Sequence, residues 1–224
     1  MIQPISFVFF ALFVVASFIQ LVAAFLEKEF LRKISKPFCV LFLAIAVAVT
    51  IPNHPLVCIG AFLGVLGDIA LISKSRRIFC LGTALFLAGH ICYLCEMIFV
   101  MMGVNPLPWW FYVVVAFGIL LFTLAGYPFS KKITQNRYLA LLGNTYLAIL
   151  LLVSIVSIIA SSRGYLDFMI LGVIGGISFL ASDLILTKSF FIKDFKRRDY
   201  YIMLFYLLGQ GLILIGITLT YVLV

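Results

Sequence analysis

Charge is scarce in this sequence, and histidine scarcer still. Only 11% of the 224 residues are charged and 65% are hydrophobic, whereas a soluble domain carries roughly a quarter of its residues as charges. No water-soluble fold of this length can hide so much apolar surface. With two histidines and no second CxxC beside Cys92-Tyr93-Leu94-Cys95, the chain lacks the usual donors of a zinc site, and no metal or other cofactor is expected. The five cysteines, Cys39, Cys58, Cys80, Cys92 and Cys95, are odd in number and scattered through apolar stretches. They read as small apolar residues, not as a disulfide framework. No single short apolar core with a small-residue cleavage site marks a signal peptide, because apolar segments recur to Val224. The first segment is therefore expected to stay as a helix.

What is present is a series of apolar segments near 5–26, 37–52, 56–73, 78–102, 109–130, 138–160, 166–187 and 200–223. Most reach the 17–25 or so residues that a spanning helix needs. The expected fold is all-α: one polytopic transmembrane domain over 1–224, with about eight helices. The second segment is short and ends in Pro52-Asn53-His54-Pro55, which fits either a tilted span or half of a re-entrant pair. Fifteen of the sixteen Lys and Arg residues fall between alternate segments, at 28–36, 74–77, 131–137 and 188–198, and Arg163 alone falls on the other side. The positive-inside rule makes that basic side cytoplasmic, with both termini outside and, in a bacterium, the inner membrane as location. The net charge of +8 thus needs no nucleic acid. Its expected partner is the anionic lipid of the cytoplasmic face.

Two stretches echo each other. Gly60-Ala61 precedes Gly67-Asp68-Ile69-Ala70-Leu71, and Gly175-Gly176 precedes Ser182-Asp183-Leu184-Ile185-Leu186. The next segments repeat Leu-Phe ahead of Gly89-His90 and of Gly209-Gln210. A four-plus-four duplication and chance similarity among apolar helices both fit this pattern. The aspartates are more telling, because Ala61, Gly64 and Asp68 share one helical face, as do Gly172, Gly176 and Asp183. Small-residue faces let helices approach closely, so both acids are expected to point into the bundle. Counted from Lys74 and Lys188, they lie at similar depth beneath the basic side. An intramembrane acid is kept where it has a partner or a task. One reading is an ion pair with Lys36 or Lys74. The other is a polar chamber with His90, Tyr93, Asn144, Tyr146, Tyr206 and Gln210. For His90 a hydrogen-bonded core histidine fits as well as a catalytic one, and Glu96 has no assignment.

At these residues the sequence resembles the YhhN-like lysoplasmalogenase family of polytopic membrane proteins. The resemblance rests on Lys36-Pro37, Gly67-Asp68 with Leu71, Phe86-x-x-Gly89-His90-x-x-Tyr93, Ser182-Asp183 with Leu186, and Tyr206-x-x-x-Gln210. These motifs stand in the family's order from residue 36 to 210; the first and fifth segments contribute little. The resemblance implies an eight-helix fold and hydrolysis of the vinyl ether bond of a lysoplasmalogen, releasing a fatty aldehyde and glycerophosphoethanolamine or glycerophosphocholine. The family's paired aspartates fall on Asp68 and Asp183.

That chemistry needs an acid, a nearby anion and a positioned water. Protonation of the β-carbon gives an oxocarbenium ion, water captures it, and the hemiacetal collapses. Two carboxyl groups in one low-dielectric chamber cannot both ionise cheaply, so one is expected to carry a proton and the other the charge, as in glycoside hydrolysis. Spacing leaves open which is which. Lys36, His90, Tyr93, Asn144, Tyr206 and Gln210 are the candidates for holding the lysophospholipid or the water. A proton-coupled transporter of a small molecule or lipid uses buried acids equally well, but it requires a chamber reached alternately from both faces. A zinc-dependent lipid amidase wants more histidines than are here.

Overall fold

The computed structural model describes residues 3–73, 75–104, 108–162 and 167–223. In a bilayer every backbone polar group must be satisfied within the protein, so long apolar runs fold as helices. Eight form among the described residues: α1 (Pro4–Phe25), α2 (Glu29–Thr50), α3 (Pro55–Ala70), α4 (Arg76–Val104), α5 (Trp109–Thr134), α6 (Arg137–Ser162), α7 (Ile170–Phe191) and α8 (Arg198–Leu223). A short 3-10 turn, Asp167–Met169, leads into α7. Pro4 and Pro55 sit in the first turn of α1 and α3, where a missing N–H costs nothing.

Seven of these helices are long and apolar enough to cross a membrane, and α3, at 16 residues, is shorter. The second segment is thus not short, and its length suits a span. It begins at Glu29 and runs through Pro37 for 22 residues. Arg32, Lys33 and Lys36 therefore ride on the first turns of α2 and not on a loop. A cut at the charge cluster missed this because Lys and Arg are good helix formers whose stems lie along apolar surface.

The cations gather at one end of the bundle. Arg32 pairs with Asp199, Arg197 lies 4.0 Å over the Phe25 ring, and Arg76 donates to the Thr134 carbonyl and faces Phe191. Three turns at this end pass through a left-handed residue, Glu27, Gln135 and Arg197. Lys74 and Arg163 lie outside the described residues. At the opposite end, Trp109 and Trp110 stand exposed at the start of α5, as expected of an interfacial aromatic belt.

Helices α6 and α8 are the most buried and α5 the least. Val113, Val114, Phe117, Leu120, Leu121 and Leu124 of α5 are all exposed, as a lipid-facing helix requires. The core is built from Cys39, Val40, Leu43 and Val47 of α2, Met97 of α4, Leu150 and Val153 of α6, and Ile213 and Leu214 of α8. All five cysteines are unpaired.

The packing echoes the sequence repeat. Helix α1 lies on α2 as α5 lies on α6, α2 on α3 as α6 on α7, and α3 on α4 as α7 on α8. Between the halves, α4 meets α6 as α8 meets α2. The echoed glycines mark equivalent contacts: a Cβ on Gly60 would lie 2.8 Å from the Gly89 carbonyl oxygen, and one on Gly175 2.8 Å from that of Gly209. Backbone meets backbone at both places, which only glycine permits. This supports a four-plus-four repeat of parallel halves.

Candidate functional site

The small-residue faces do what their spacing predicts. Ala61, Gly64 and Asp68 of α3 are buried, and Gly172 and Gly176 of α7 lie against Ser157 and Ser154 of α6. The short α3 stops at Ala70, so Asp68 stands in its last turn, while α7 runs two turns past Asp183 to Phe191. The depth counted from the lysines takes helix as far as residue 74, whereas residues 71–73 leave it. Even so, both carboxylates reach the same cavity, a small space of about 30 Å³. Lys36, Phe86, Phe179, Ser182 and Tyr206 complete most of its wall.

Asp68 is 1% exposed and held from two sides. Tyr206 of α8 donates its hydroxyl hydrogen to Oδ2 at 2.6 Å. Lys36 of α2 places its Nζ 3.5 Å from Oδ1. Both groups favour a negative Asp68. Asp183 has a different environment: it faces the Tyr146 hydroxyl of α6, its Oδ2 is buried without a close hydrogen bond, and among the described residues no cation pairs with it. The two carboxyl groups interact electrostatically. Next to Asp183, Ser182 donates to the Ile202 carbonyl at 3.0 Å and ties α7 to α8.

The other sequence candidates divide. Lys36 and Tyr206 touch Asp68 directly. Tyr93 and Gln210 pair with each other, Gln210 Nε2 donating to the tyrosine oxygen at 2.8 Å, and neither lines the acid cavity. His90 bonds through Nδ1 to the Phe86 carbonyl at 2.8 Å, one turn back on its own helix, and packs edge-on to Phe179 at 4.5 Å. Its place is the aromatic core beneath the acids, although Nε2 has no partner. Asn144 accepts from Ser130 at 2.6 Å and donates to the Thr123 carbonyl at 3.4 Å, fastening α6 to α5. It also lines a second cavity of about 80 Å³, which Tyr146 and Asp183 share. Asp183 therefore stands between two spaces, one shared with Asp68 and one opening towards α5.

A wider cavity of about 140 Å³ adjoins the acids at the basic end and has Lys36, Leu71, Leu186, Ile202 and Met203 in common with the small one. Its wall includes Gln20 of α1, whose Oε1 accepts from Ser35. Sequence reading passed over Gln20, and the only available signal was an amide standing alone in an apolar run. It also left Glu96 unassigned. In the structure Glu96 accepts from Tyr221 at 2.7 Å and lies 2.8 Å from His54 Nδ1, while the His54 and Tyr221 rings stack at 3.5 Å. This triad clasps the far ends of α3, α4 and α8. Among the described residues no three His, Cys, Asp or Glu side chains converge as metal ligands would.

Fold and site together define a polytopic all-α membrane protein with a buried carboxyl pair beneath a basic rim. The YhhN family model matches residues 31–217, most of the chain, and the chain belongs to that family. No curated protein and no solved structure matches it.

Proposed function

We propose that the chain is a membrane-embedded hydrolase that cleaves the vinyl ether bond of a lysoplasmalogen with Asp68 and Asp183, its basic end facing the cytoplasm and its anionic lipid. The observation that carries this reading is the shared cavity of the two carboxyl groups, one held by a cation and a hydroxyl donor, the other facing the Tyr146 hydroxyl with no cation paired to it among the described residues. Asp183 then serves as the acid and Asp68 as the anion. Asp183 passes its proton to the β-carbon of the vinyl ether. Asp68 stabilises the oxocarbenium ion electrostatically, with help from the aromatic walls of Phe86 and Phe179. A cavity of about 30 Å³ has room for a water between the acids. That water adds to the cation and gives up a proton to a carboxylate. The hemiacetal then breaks its C–O bond, releasing aldehyde and the glycerol hydroxyl, with one water consumed. The cavities beside the pair lie at the basic end, which favours access from one side over the alternating access of a transporter.

The test is to incubate purified protein with a lysoplasmalogen and with its saturated alkyl-ether analogue. Aldehyde release from the first alone is expected. No aldehyde from either, with transport of a lipid or proton across vesicles, would favour the transporter.

A further inference from the structure

We propose that the wide cavity above Asp68 seats the phosphate of a lysolipid head group, with Gln20 of α1 as its neutral donor. This rests on the hydrolase reading for its orientation, but the site is built from its own residues. Its wall carries four cations, Arg32, Lys33, Lys36 and Arg198, against one carboxylate, Asp199. Asp199 braces two of them: it pairs with Arg32 and accepts from Arg198 at 3.2 Å. Asp194 holds Arg198 from a second side at 2.7 Å. A guanidinium has five N–H donors in a fixed fork, so such bracing aims the donors left over. Paired phosphate oxygens match that fork.

Gln20 points to an acceptor ligand independently. The residue is fully buried, its Oε1 is taken by Ser35, and its Nε2 has no hydrogen-bond partner. Gln20 is one of the residues around the cation-lined cavity; its buried amide N–H₂ lacks an oxygen acceptor, and a phosphate supplies one without adding a positive charge. Exposed Lys33 stands at the mouth and half-buried Lys36 at the floor, where it also contacts Asp68. A phosphate held here leaves its glycerol ether leading into the acid cavity. Gln20 lies before the family match, which begins at residue 31.

Binding tests this without turnover. The full chain, in neutral detergent, is titrated with a saturated 1-O-alkyl-glycerophosphocholine and with the 1-O-alkylglycerol of equal chain length. The phospholipid is expected to bind the wild type about tenfold tighter or more. Gln20→Glu keeps the Ser35 acceptor but sets a carboxylate against the phosphate. It should weaken the phospholipid about tenfold and leave the alkylglycerol within about twofold, as should Arg32→Gln. Lys131→Gln, a cation at the same end outside the cavity, should change neither. If Gln20→Glu does not fold, judged by alkylglycerol binding and melting, Gln20→Met removes the donor at equal length and carries the same expectation. Equal affinity of the wild type for both lipids, or wild-type phospholipid binding by the Gln20 variant, overturns the proposal. So does displacement of the lipid by millimolar inorganic phosphate, which would mark a free-anion site. Head-group discrimination without aldehyde release overturns the hydrolase reading alone, and aldehyde release without discrimination overturns this site alone.

Discussion

Tyr206 and Asp68, 138 residues apart in sequence, are joined by a 2.6 Å hydrogen bond from the phenol to the carboxylate. The ring itself is held by Phe86 and Phe179, at 5.7 and 5.2 Å between centroids. Tyr206→Phe therefore keeps the packing and deletes only the donor. Aldehyde release should fall roughly 10–100-fold, the loss expected for a hydrogen bond to a charged group worth about 1.5–3 kcal/mol. A wild-type rate would remove Tyr206 from the site.

The two acids should behave as one unit. Asp68→Asn removes the charge facing the cation, and Asp183→Asn removes the proton to be donated. Each should abolish most turnover, and the double variant should be little slower than the slower single, because groups acting together are non-additive. Affinity for the saturated ether lipid should drop less than turnover does. Multiplying effects in the double variant would show that the acids act separately.

The glycine contacts give a stability prediction. Gly60→Ala and Gly175→Ala each press a methyl onto the backbone oxygen of the next helix, and each should cost about 1–3 kcal/mol through overpacking. A Cβ on Gly118 meets nothing within 4 Å. Gly118→Ala should be neutral, or stabilise by about 0.5–1 kcal/mol through helix propensity. Melting of the purified variants decides, and equal losses at all three positions would contradict the close approach.

The His54, Glu96 and Tyr221 clasp lies at the other end from the acids, so stability and catalysis should separate there. Glu96→Leu leaves the Tyr221 hydroxyl and His54 Nδ1 without their acceptor, at a cost of about 1–3 kcal/mol. The melting temperature should fall while the rate at low temperature stays near wild type. A rate loss matching that of Asp68→Asn would tie the clasp to the chemistry.

Chelator should leave aldehyde release unchanged, and Cys92→Ser with Cys95→Ser should be near neutral, since the proposed reaction draws only on carboxyl groups and water. Activity lost to chelator and restored by zinc would revive the amidase reading.

The sequence by itself determined the helices, the gathering of cations at one end, and the inward direction of both aspartates. Each follows from local physics: apolar runs must close their own hydrogen bonds in lipid, and helical periodicity puts Asp68 and Asp183 on the faces of their small neighbours. It also made the glycine echo visible, since backbone contact needs glycine at fixed spacing. Only the tertiary structure decided which side chains meet the carboxylates. Lys36 and Tyr206 do so, whereas His90 turns to its own helix and Asn144 to α5. Partner choice depends on the rotation and crossing of helices far apart in sequence, and the spacing within any one helix carries no record of either. For the same reason Gln20, one amide in an apolar run, acquires a role only where α1 meets α2 beside the cavity.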